Sequence, residues 1–189
     1  MQFREKAQLM TASEIDRTLV HLAHEIVEKT NGLQDLVLVG ILRRGGPLAE
    51  RLAAKIEAIA RAKIPVGNLD IQLYRDDLSQ LDSKPVVRST RLPFSVDGKD
   101  VVLVDDVLYT GRTSRAAMNA LFDQGRPQRV RLCVLIDRGH RELPIEAAFT
   151  GKKISTTAQE IIEVKLLGVD EIEKVLVMER TAPLPSAGG

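Results

Sequence analysis

The chain has 189 residues, of which 44% are hydrophobic and 28% are charged, as in an ordinary globular domain with a sizeable core. No apolar run approaches the roughly 20 residues that a membrane-spanning helix needs, and the start of the chain lacks the layout of a secretory signal. The formal net charge is +1, so nucleic acid can be attracted only by a local basic patch. We therefore expect a cytoplasmic protein with no membrane or DNA partner.

The first third of the chain predicts a helix, a buried strand and a second helix. Thr11-Ala12-Ser13-Glu14 has the spacing of a capping box, and apolar residues then recur at helical intervals until Asn31-Gly32. The apolar run 36–40 is too short for a helix and is typical of a strand buried on both faces. After a glycine-containing turn, Pro47 suits the first position of a second helix that reaches about Ala62.

The middle of the chain predicts a strand, a long loop and another buried strand. Residues 69–74 alternate apolar and polar side chains like a half-buried strand. Residues 75–99 are polar and interrupted by proline, which predicts a flexible loop. The apolar run 101–104 predicts a second buried strand, and it leads through residues 105–113 into a helix.

The last third predicts further strands and a tail. A buried strand is expected at 130–136, and the single cysteine inside it, Cys133, is predicted as a small buried side chain and not as a catalytic thiol. Two later apolar runs occupy 161–167 and 175–178. Residues 181–189 are rich in Pro, Ala and Gly and predict a disordered tail.

Alternation of strands and helices predicts one α/β domain over residues 1–180, with a mostly parallel twisted sheet and helices on both faces. In such sheets ligands bind at the carboxyl ends of the strands. Three turns fall at predicted strand ends, namely 40–46, 105–113 and 137–141. We therefore expect these three turns to form the functional site.

The turn Thr110-Gly111-Arg112-Thr113 suits a phosphate. It joins a buried strand to a helix, so free backbone N–H groups, the positive end of the helix dipole and two hydroxyls converge on one place. Asp105 and Asp106 lie just upstream and would repel a phosphate, so they must face another part of the ligand. A sugar with a phosphate at one end and vicinal hydroxyls at the other satisfies both groups. The same carboxylates would stabilise a cationic transition state.

A known family carries this pattern. The chain has neither a P-loop nor a Gly-x-Gly-x-x-Gly motif, whereas Val101 to Thr113 closely resembles the phosphoribosyl-pyrophosphate signature of the type I phosphoribosyltransferases. With residues 73–79 and 137–144 included, nearly the whole chain is similar to those members of the family that are both uracil phosphoribosyltransferases and attenuators of pyrimidine operons.

The resemblance implies a type I phosphoribosyltransferase fold, with a flexible loop that closes over the site and a small hood. It implies transfer of ribose 5-phosphate from phosphoribosyl pyrophosphate (PRPP) to uracil, giving UMP and pyrophosphate, with Mg²⁺ bound mainly through PRPP and no dedicated metal site in the protein. It also implies binding of pyrimidine-operon leader mRNA that depends on uridine nucleotides, and a homo-oligomer, either dimer or tetramer.

The resemblance also implies residue roles. Asp105 and Asp106 would hold the ribose hydroxyls, and together with Arg44 they are the expected catalytic residues. The other expected substrate-binding residues are Thr110, Gly111, Arg112 and Thr113 at the 5-phosphate, Arg43 and Gly45 at the pyrophosphate, and Asp137 and Arg138 at the base. Arg43 stands where relatives commonly have threonine. A plain basic turn at 43–45 and structural ion pairs at 137–138 are the alternatives.

The expected RNA-binding residues are basic side chains on three segments, namely His21, His24, Lys29, His140, Arg141, Lys152 and Lys153. Such a cluster is also typical of plain solvated surface. Glu146 stands where relatives tend to have arginine, and a carboxylate there repels RNA phosphates; Val20-His21 replaces a polar-basic pair. Both departures weaken the prediction of RNA binding.

Two alternatives to the uracil enzyme stay open, namely an RNA-binding regulator whose nucleotide site is mainly sensory, and a purine phosphoribosyltransferase.

Overall fold

The computed structural model describes residues 2–72 and 92–181. Residues 73–91, which hold most of the predicted flexible loop, and residues 182–189, which hold all but the first residue of the predicted tail, lie outside the described part. Along the chain the elements are β1 (Gln2–Thr11), α1 (Ala12–Lys29), β2 (Leu36–Ile41), α2 (Gly45–Ala60), β3 (Val66–Leu69), β4 (Asp100–Leu108), α3 (Arg112–Phe122), β5 (Arg129–Asp137), β6 (Phe149–Lys153), β7 (Glu160–Lys165) and β8 (Lys174–Thr181).

The main sheet has five strands in the order β3-β2-β4-β5-β6, and every pair in it is parallel. This confirms the predicted α/β architecture. Because parallel strands all point the same way, the segments that follow β2, β4 and β5 leave the sheet at one edge. The sheet order makes these three strands neighbours.

Helices cover both faces of this sheet, as the sequence predicts. Along β2 and β4, Leu38 and Val102 pack in a core with α1 and α2, whereas Val37 and Leu103 pack in a second core with α3. All four side chains are buried. Alternate side chains of a strand point to opposite faces, so a continuous apolar run supplies both cores. Each fully buried Leu or Val contributes roughly 1.5–3 kcal/mol to folding.

A smaller antiparallel sheet, β1-β8-β7, forms the hood. Strands β7 and β8 correspond to the two late apolar runs of the sequence. Strand β1 was not predicted, and its partner strand is at the other end of the chain, with Thr11 opposite Lys174. No local pattern reveals such a distant pairing.

The capping box of α1 is present as predicted. The backbone N–H of Glu14 donates to Thr11 Oγ1 over 3.2 Å, and the backbone N–H of Thr11 donates to Glu14 Oε2 over 2.7 Å. The hydrogen bonds that the backbone N–H and the hydroxyl of Thr11 donate to the Glu14 carboxylate lower the pKa of Glu14 below its ordinary value. Such a cap typically stabilises a helix by about 1 kcal/mol.

Other predicted boundaries differ from the structure. Helix α2 begins at Gly45, two residues before Pro47. A strand was predicted at 69–74, but β3 lies at 66–69. It pairs with β2 up to Ile41, where β2 itself ends, so residues 70–72 have no partner strand. At the C-terminal end of the predicted loop, Val96 is fully buried in the α3-side core, and Leu92 and Phe94 pack against that core.

Cys133 lies in β5 and is buried. Burial raises the pKa of its thiol. A thiolate is the reactive form of cysteine, so this position fits the predicted small apolar role. Among the helices of residues 2–72 and 92–181, none has the length and apolar character to cross a membrane.

Gly45 allows α2 to start against β4. A Cβ atom at this position would lie 2.2 Å from the carbonyl oxygen of Val104, which is a backbone atom that cannot rotate away. We predict that Gly45→Ala lowers the free energy of unfolding by about 1–3 kcal/mol or more, measured by urea denaturation. Gly67→Ala is the control, because its Cβ would meet the movable side chains of Leu92 and Phe94. Equal losses in both variants would contradict this account.

Candidate functional site

The three predicted turns meet at one edge of the main sheet. In the parallel register, Gly40 of β2 is opposite Val104 of β4, and Leu108 of β4 is opposite Asp137 of β5. The turns that follow these strand ends are therefore side by side. The central turn, after β4, carries the predicted phosphate site.

The phosphate turn ends in a glycine with a special conformation. Gly111 has φ 91° and is the N-cap residue of α3, and the helix has no side-chain cap. A helix start without a side-chain cap suits an anion, which the helix dipole also favours. The hydroxyl of Thr110 accepts from Arg112 N over 3.3 Å, which fixes the turn.

Asp105 and Asp106 stand where β4 enters this turn. Asp105 is buried and Asp106 is half-buried. The backbone N–H of Asp106 donates to Asp105 Oδ1 over 2.9 Å, and that of Val107 donates to Asp106 Oδ1 over 2.8 Å. These hydrogen bonds orient both carboxylates. Two oriented carboxylates beside an anion site are suited to a ligand with hydroxyls next to a phosphate.

The segment after β5 packs on the phosphate turn. Backbone N–H groups of Glu142 and Leu143 donate to the carbonyl of Thr110 over 3.0 and 3.1 Å. The side chain of Arg112 pairs with that of Glu142, with 2.7 Å between Nε and Oε2. Arg112 therefore contacts the neighbouring segment as well as bordering the predicted phosphate site.

Asp137 and Arg141 form an ion pair inside this segment. Arg141 Nη2 lies 2.6 Å from Asp137 Oδ2, and other donors of the same guanidinium reach the carbonyls of Tyr109 and Ile145. Burial raises the pKa of Asp137, but hydrogen bonds from Arg141 and Gly139 outweigh it, so the pKa is below its ordinary value. Arg141, expected at the RNA surface, thus ties the segment to the phosphate turn.

The side chain of Arg138 is held inside the protein by the β6–β7 connection. Arg138 is 5% exposed, and its guanidinium donates to Thr156 Oγ1 and to the carbonyl of Glu160. The guanidinium also lies 4.1 Å from the centre of the Tyr109 ring, where a cation–π contact is favourable. Burial lowers its pKa. Its side chain is thus committed to the β6–β7 connection and to Tyr109.

The turn after β2 carries Arg43 and Arg44. Arg43 is exposed. Arg44 forms a two-point ion pair with Asp170 of the hood, with distances of 3.1 and 2.9 Å. Sequence reasoning missed Asp170 and also Tyr109. Asp170 is 126 residues further along the chain and belongs to no motif, while Tyr109 stands inside the recognised turn and could have been noticed there.

The expected RNA-binding residues fall into two groups. His21 and Lys152 border one surface cavity of about 330 Å³ between α1 and β6, which is lined by Met10, Glu14, Arg17, Thr18, His21, Gly151 and Lys152. His24 and Lys153 are exposed nearby on the same two elements, and Lys29 pairs with Glu25 on α1. His140 is not among the residues that line this cavity. Its Nε2 donates to the carbonyl of Thr156 over 2.6 Å.

Comparison with known proteins gives consistent matches. The phosphoribosyl transferase domain family matches residues 7–169. Bifunctional protein PyrR of Pelotomaculum thermopropionicum is 57% identical over 176 residues, covering 93% of this chain and 97% of that protein. The PyrR protein of Thermus thermophilus is 55% identical over 177 residues, covering 94% of this chain and 98% of that protein.

Solved structures give the fold. The hypoxanthine phosphoribosyltransferase of Trypanosoma cruzi has a TM-score of 0.71 at 19% identity, with 94% of this chain and 98% of that chain covered. The Staphylococcus aureus hypoxanthine phosphoribosyltransferase has a TM-score of 0.68 at 22% identity, with 91% and 92% covered. At these identities the likeness establishes the architecture alone.

The ion pair of Asp137 predicts a pH-dependent stability. Because the pKa of Asp137 is lowered in the folded protein, the pair adds stability at pH values above 3.8, the ordinary pKa of the carboxyl group. This contribution is lost as the pH falls through the pKa of the folded state. We predict that Arg141→Gln lowers the free energy of unfolding by about 1–3 kcal/mol at about pH 7, and that the difference from wild type shrinks towards about pH 3. Urea denaturation at both pH values measures this.

Arg4→Gln is the matched control for that experiment. Arg4 pairs with Glu179 over 2.7 Å on the hood, but the Arg4 side chain is 69% exposed. Exposed pairs contribute about 0–1 kcal/mol, so this variant should change stability little. A loss at Arg141 that is no larger than the loss at Arg4 would show that the Asp137 pair is unimportant.

Proposed function

We propose that this chain makes UMP and pyrophosphate from uracil and PRPP. The proposal starts from the family: the chain belongs to the phosphoribosyl transferase family and, within it, to the PyrR proteins. The observation that carries this proposal is the order of groups along one edge of the sheet. Oriented carboxylates and an anion-binding helix start lie at the end of β4, between a basic turn after β2 and the segment after β5.

The sugar phosphate would lie over the central turn. The 5-phosphate accepts hydrogen bonds from the backbone and hydroxyls of Thr110, Gly111 and Thr113, with Arg112 beside them. Asp105 and Asp106 accept hydrogen bonds from the 2′- and 3′-hydroxyls. The two ends of the ribose are then fixed by opposite kinds of group, and this sets its direction across the sheet edge.

The reaction exchanges one bond at C1′ for another. Uracil N1 attacks C1′, the bond from C1′ to the pyrophosphate oxygen breaks with its electron pair leaving on pyrophosphate, and the proton of N1 is released. Positive charge develops on the ribose ring as the leaving group departs. Asp105 and Asp106 stabilise that charge, while Arg43, Arg44 and the backbone at Gly45 neutralise the departing pyrophosphate.

Mg²⁺ is used with PRPP by phosphoribosyltransferases in general, and it would add positive charge beside the pyrophosphate when bound. Within residues 2–72 and 92–181, no group of three or more His, Cys, Asp or Glu side chains is arranged to hold a metal ion. Mg²⁺ commonly binds through one or two carboxylates, waters and substrate phosphates. Asp105 and Asp106 are hard oxygen donors at the mouth of the site, so the residues fit an ion shared with the substrate.

The base would lie at the end of β5. Asp137 and the backbone beside it border that position, whereas the side chain of Arg138 is held elsewhere, so we assign Arg138 a supporting role beneath the phosphate turn. Uracil is favoured over a purine because the PyrR relatives are more than half identical to this chain. The hypoxanthine enzymes share only its fold.

We propose RNA binding as a second activity, at the cavity between α1 and β6. His21 and Lys152 border it, and Arg17 adds a cation that the sequence did not single out. Pyrimidine-operon leader mRNA is the proposed partner, and a uridine nucleotide would strengthen its binding. Arg141 supports such a link because it joins the segment carrying His140 to Tyr109 of the phosphate turn.

We also propose that the protein is a cytoplasmic homo-oligomer, either a dimer or a tetramer.

The enzymatic proposal predicts base selection and dependence on the paired acids. With uracil, hypoxanthine and guanine competing for PRPP and Mg²⁺, UMP should be the main product. Asp105→Asn/Asp106→Asn should lower kcat/KM by about 10²-fold or more, since the charge that stabilises the transition state is removed. Product analysis by chromatography measures both.

Asp123→Asn is a suitable control for each single substitution of the acid pair, because it removes one negative charge at the far end of α3. If IMP or GMP were the main product of the competition assay, the protein would be assigned as a purine phosphoribosyltransferase and not as a uracil phosphoribosyltransferase. Unchanged turnover in the double variant would remove the proposed role of the carboxylates while leaving the fold assignment intact.

The RNA proposal predicts a localised electrostatic contact. Lys152→Gln should weaken binding of the leader RNA and make the slope of log K against log salt shallower by about 0.7–0.9, while UMP formation is unchanged. Lys63→Gln is the control, because Lys63 is exposed next to β3 at the opposite edge of the sheet. Filter binding with and without UMP measures this. Equal effects of the two substitutions, or no strengthening by UMP, would contradict the proposal.

A further inference from the structure

Arg44, on the turn proposed to bind pyrophosphate, is held by a single carboxylate of the hood. Arg44 Nε lies 3.1 Å from Asp170 Oδ2, and Arg44 Nη2 lies 2.9 Å from Asp170 Oδ1. The two side chains are 30% and 19% exposed. This is the parallel two-point geometry in which arginine and carboxylate recognise each other most specifically.

Asp170 is itself fixed by the turn between β7 and β8. The backbone N–H of Leu166 donates to Asp170 Oδ2 over 2.9 Å, and the backbone N–H of Asp170 donates to the carbonyl of Leu166 over 2.7 Å. Leu166 thus holds both the carboxylate and the backbone N–H of Asp170. The carboxylate offers Arg44 a rigid acceptor and not a mobile surface group.

The pair leaves half of the guanidinium unused. Asp170 takes the edge formed by Nε and Nη2, and within the described residues Nη1 makes no hydrogen bond to the protein. A guanidinium is a planar group with five donors in fixed directions, so holding one edge sets the direction of the other. The hydrogen bonds that Arg44 donates to Asp170 raise the pKa of Arg44, and the charge of Asp106 adds to this, so the group stays cationic.

We infer that Asp170 is a positioning residue for the transfer reaction, which holds Arg44 so that its second edge binds the pyrophosphate of PRPP. The inference rests on the proposed function, because it takes Arg44 as a pyrophosphate ligand. A preorganised arginine loses less side-chain freedom when the substrate binds. Since pyrophosphate is contacted before and during bond breaking, loss of this positioning weakens substrate binding more than it slows chemistry.

Asp170→Asn tests the inference. The substitution removes the charge and one of the two acceptor oxygens while keeping the size of the side chain. The KM for PRPP should rise about tenfold, while kcat changes less than about threefold. Glu173→Gln is the matched control. Glu173 also joins the hood to α2, through an ion pair of 3.0 Å with Arg51. Arg51 lies two helical turns further along the chain than Arg44, away from the loop proposed to bind pyrophosphate. The control substitution should leave both constants unchanged.

A double-mutant cycle separates positioning from other roles of Asp170. Arg44→Gln alone should raise the KM for PRPP, and adding Asp170→Asn to it should cause little further change, because Asp170 acts through Arg44. A full additional loss in the double variant would overturn the inference. Rescue of Asp170→Asn by excess Mg²⁺ would also overturn it, since that result would make Asp170 a metal ligand.

The cycle also distinguishes failure of this inference from failure of the proposed function. If Arg44→Gln raises the KM but Asp170→Asn does not, the pyrophosphate role of Arg44 stands and the positioning role is wrong. If Arg44→Gln leaves the KM unchanged while UMP is still formed, both the pyrophosphate role of Arg44 and the inference fail, but the transferase assignment remains. Thermal unfolding of each variant confirms that the comparison is made on folded protein.

Discussion

The functional site depends on parallel pairing of β2, β4 and β5. Because these strands are neighbours and run in one direction, the turns that follow them open at the same edge of the sheet. The contact of Gly45 with the Val104 carbonyl brings the start of α2 against β4. This places a basic turn beside the acidic end of β4, and the distance between them is set by backbone packing and not by flexible side chains.

Charges of opposite sign are arranged in order along this edge. Carboxylates at Asp105 and Asp106 stand between the start of α3, where we propose that a phosphate binds, and the cation of Arg44, which the hood holds through Asp170. A ligand with a phosphate at each end and hydroxyls between them matches this order. The hood therefore contributes to the electrostatics of the turn that carries Arg44.

The segment after β5 joins the turn at 105–113 to the β6–β7 connection. Its backbone binds the Thr110 carbonyl, and Arg141 binds the carbonyl of Tyr109, so the segment cannot shift without disturbing the phosphate turn. The same segment carries His140, which contacts the β6–β7 connection. A nucleotide that alters the turn thus has a direct physical route to residues near β6. Coupling by such a route acts equally in both directions.

The sequence by itself determined the parallel sheet, the helices on both faces, the capping box at Thr11 and the strand-to-helix turn at 110–113, because each depends on apolar periodicity or on residues adjacent in the chain. Only the tertiary structure decided that β1 pairs with β8, that Arg138 binds the β6–β7 connection, and that Asp170 holds Arg44. These features join segments far apart in the chain, and a single sequence contains no local signal of which distant groups meet.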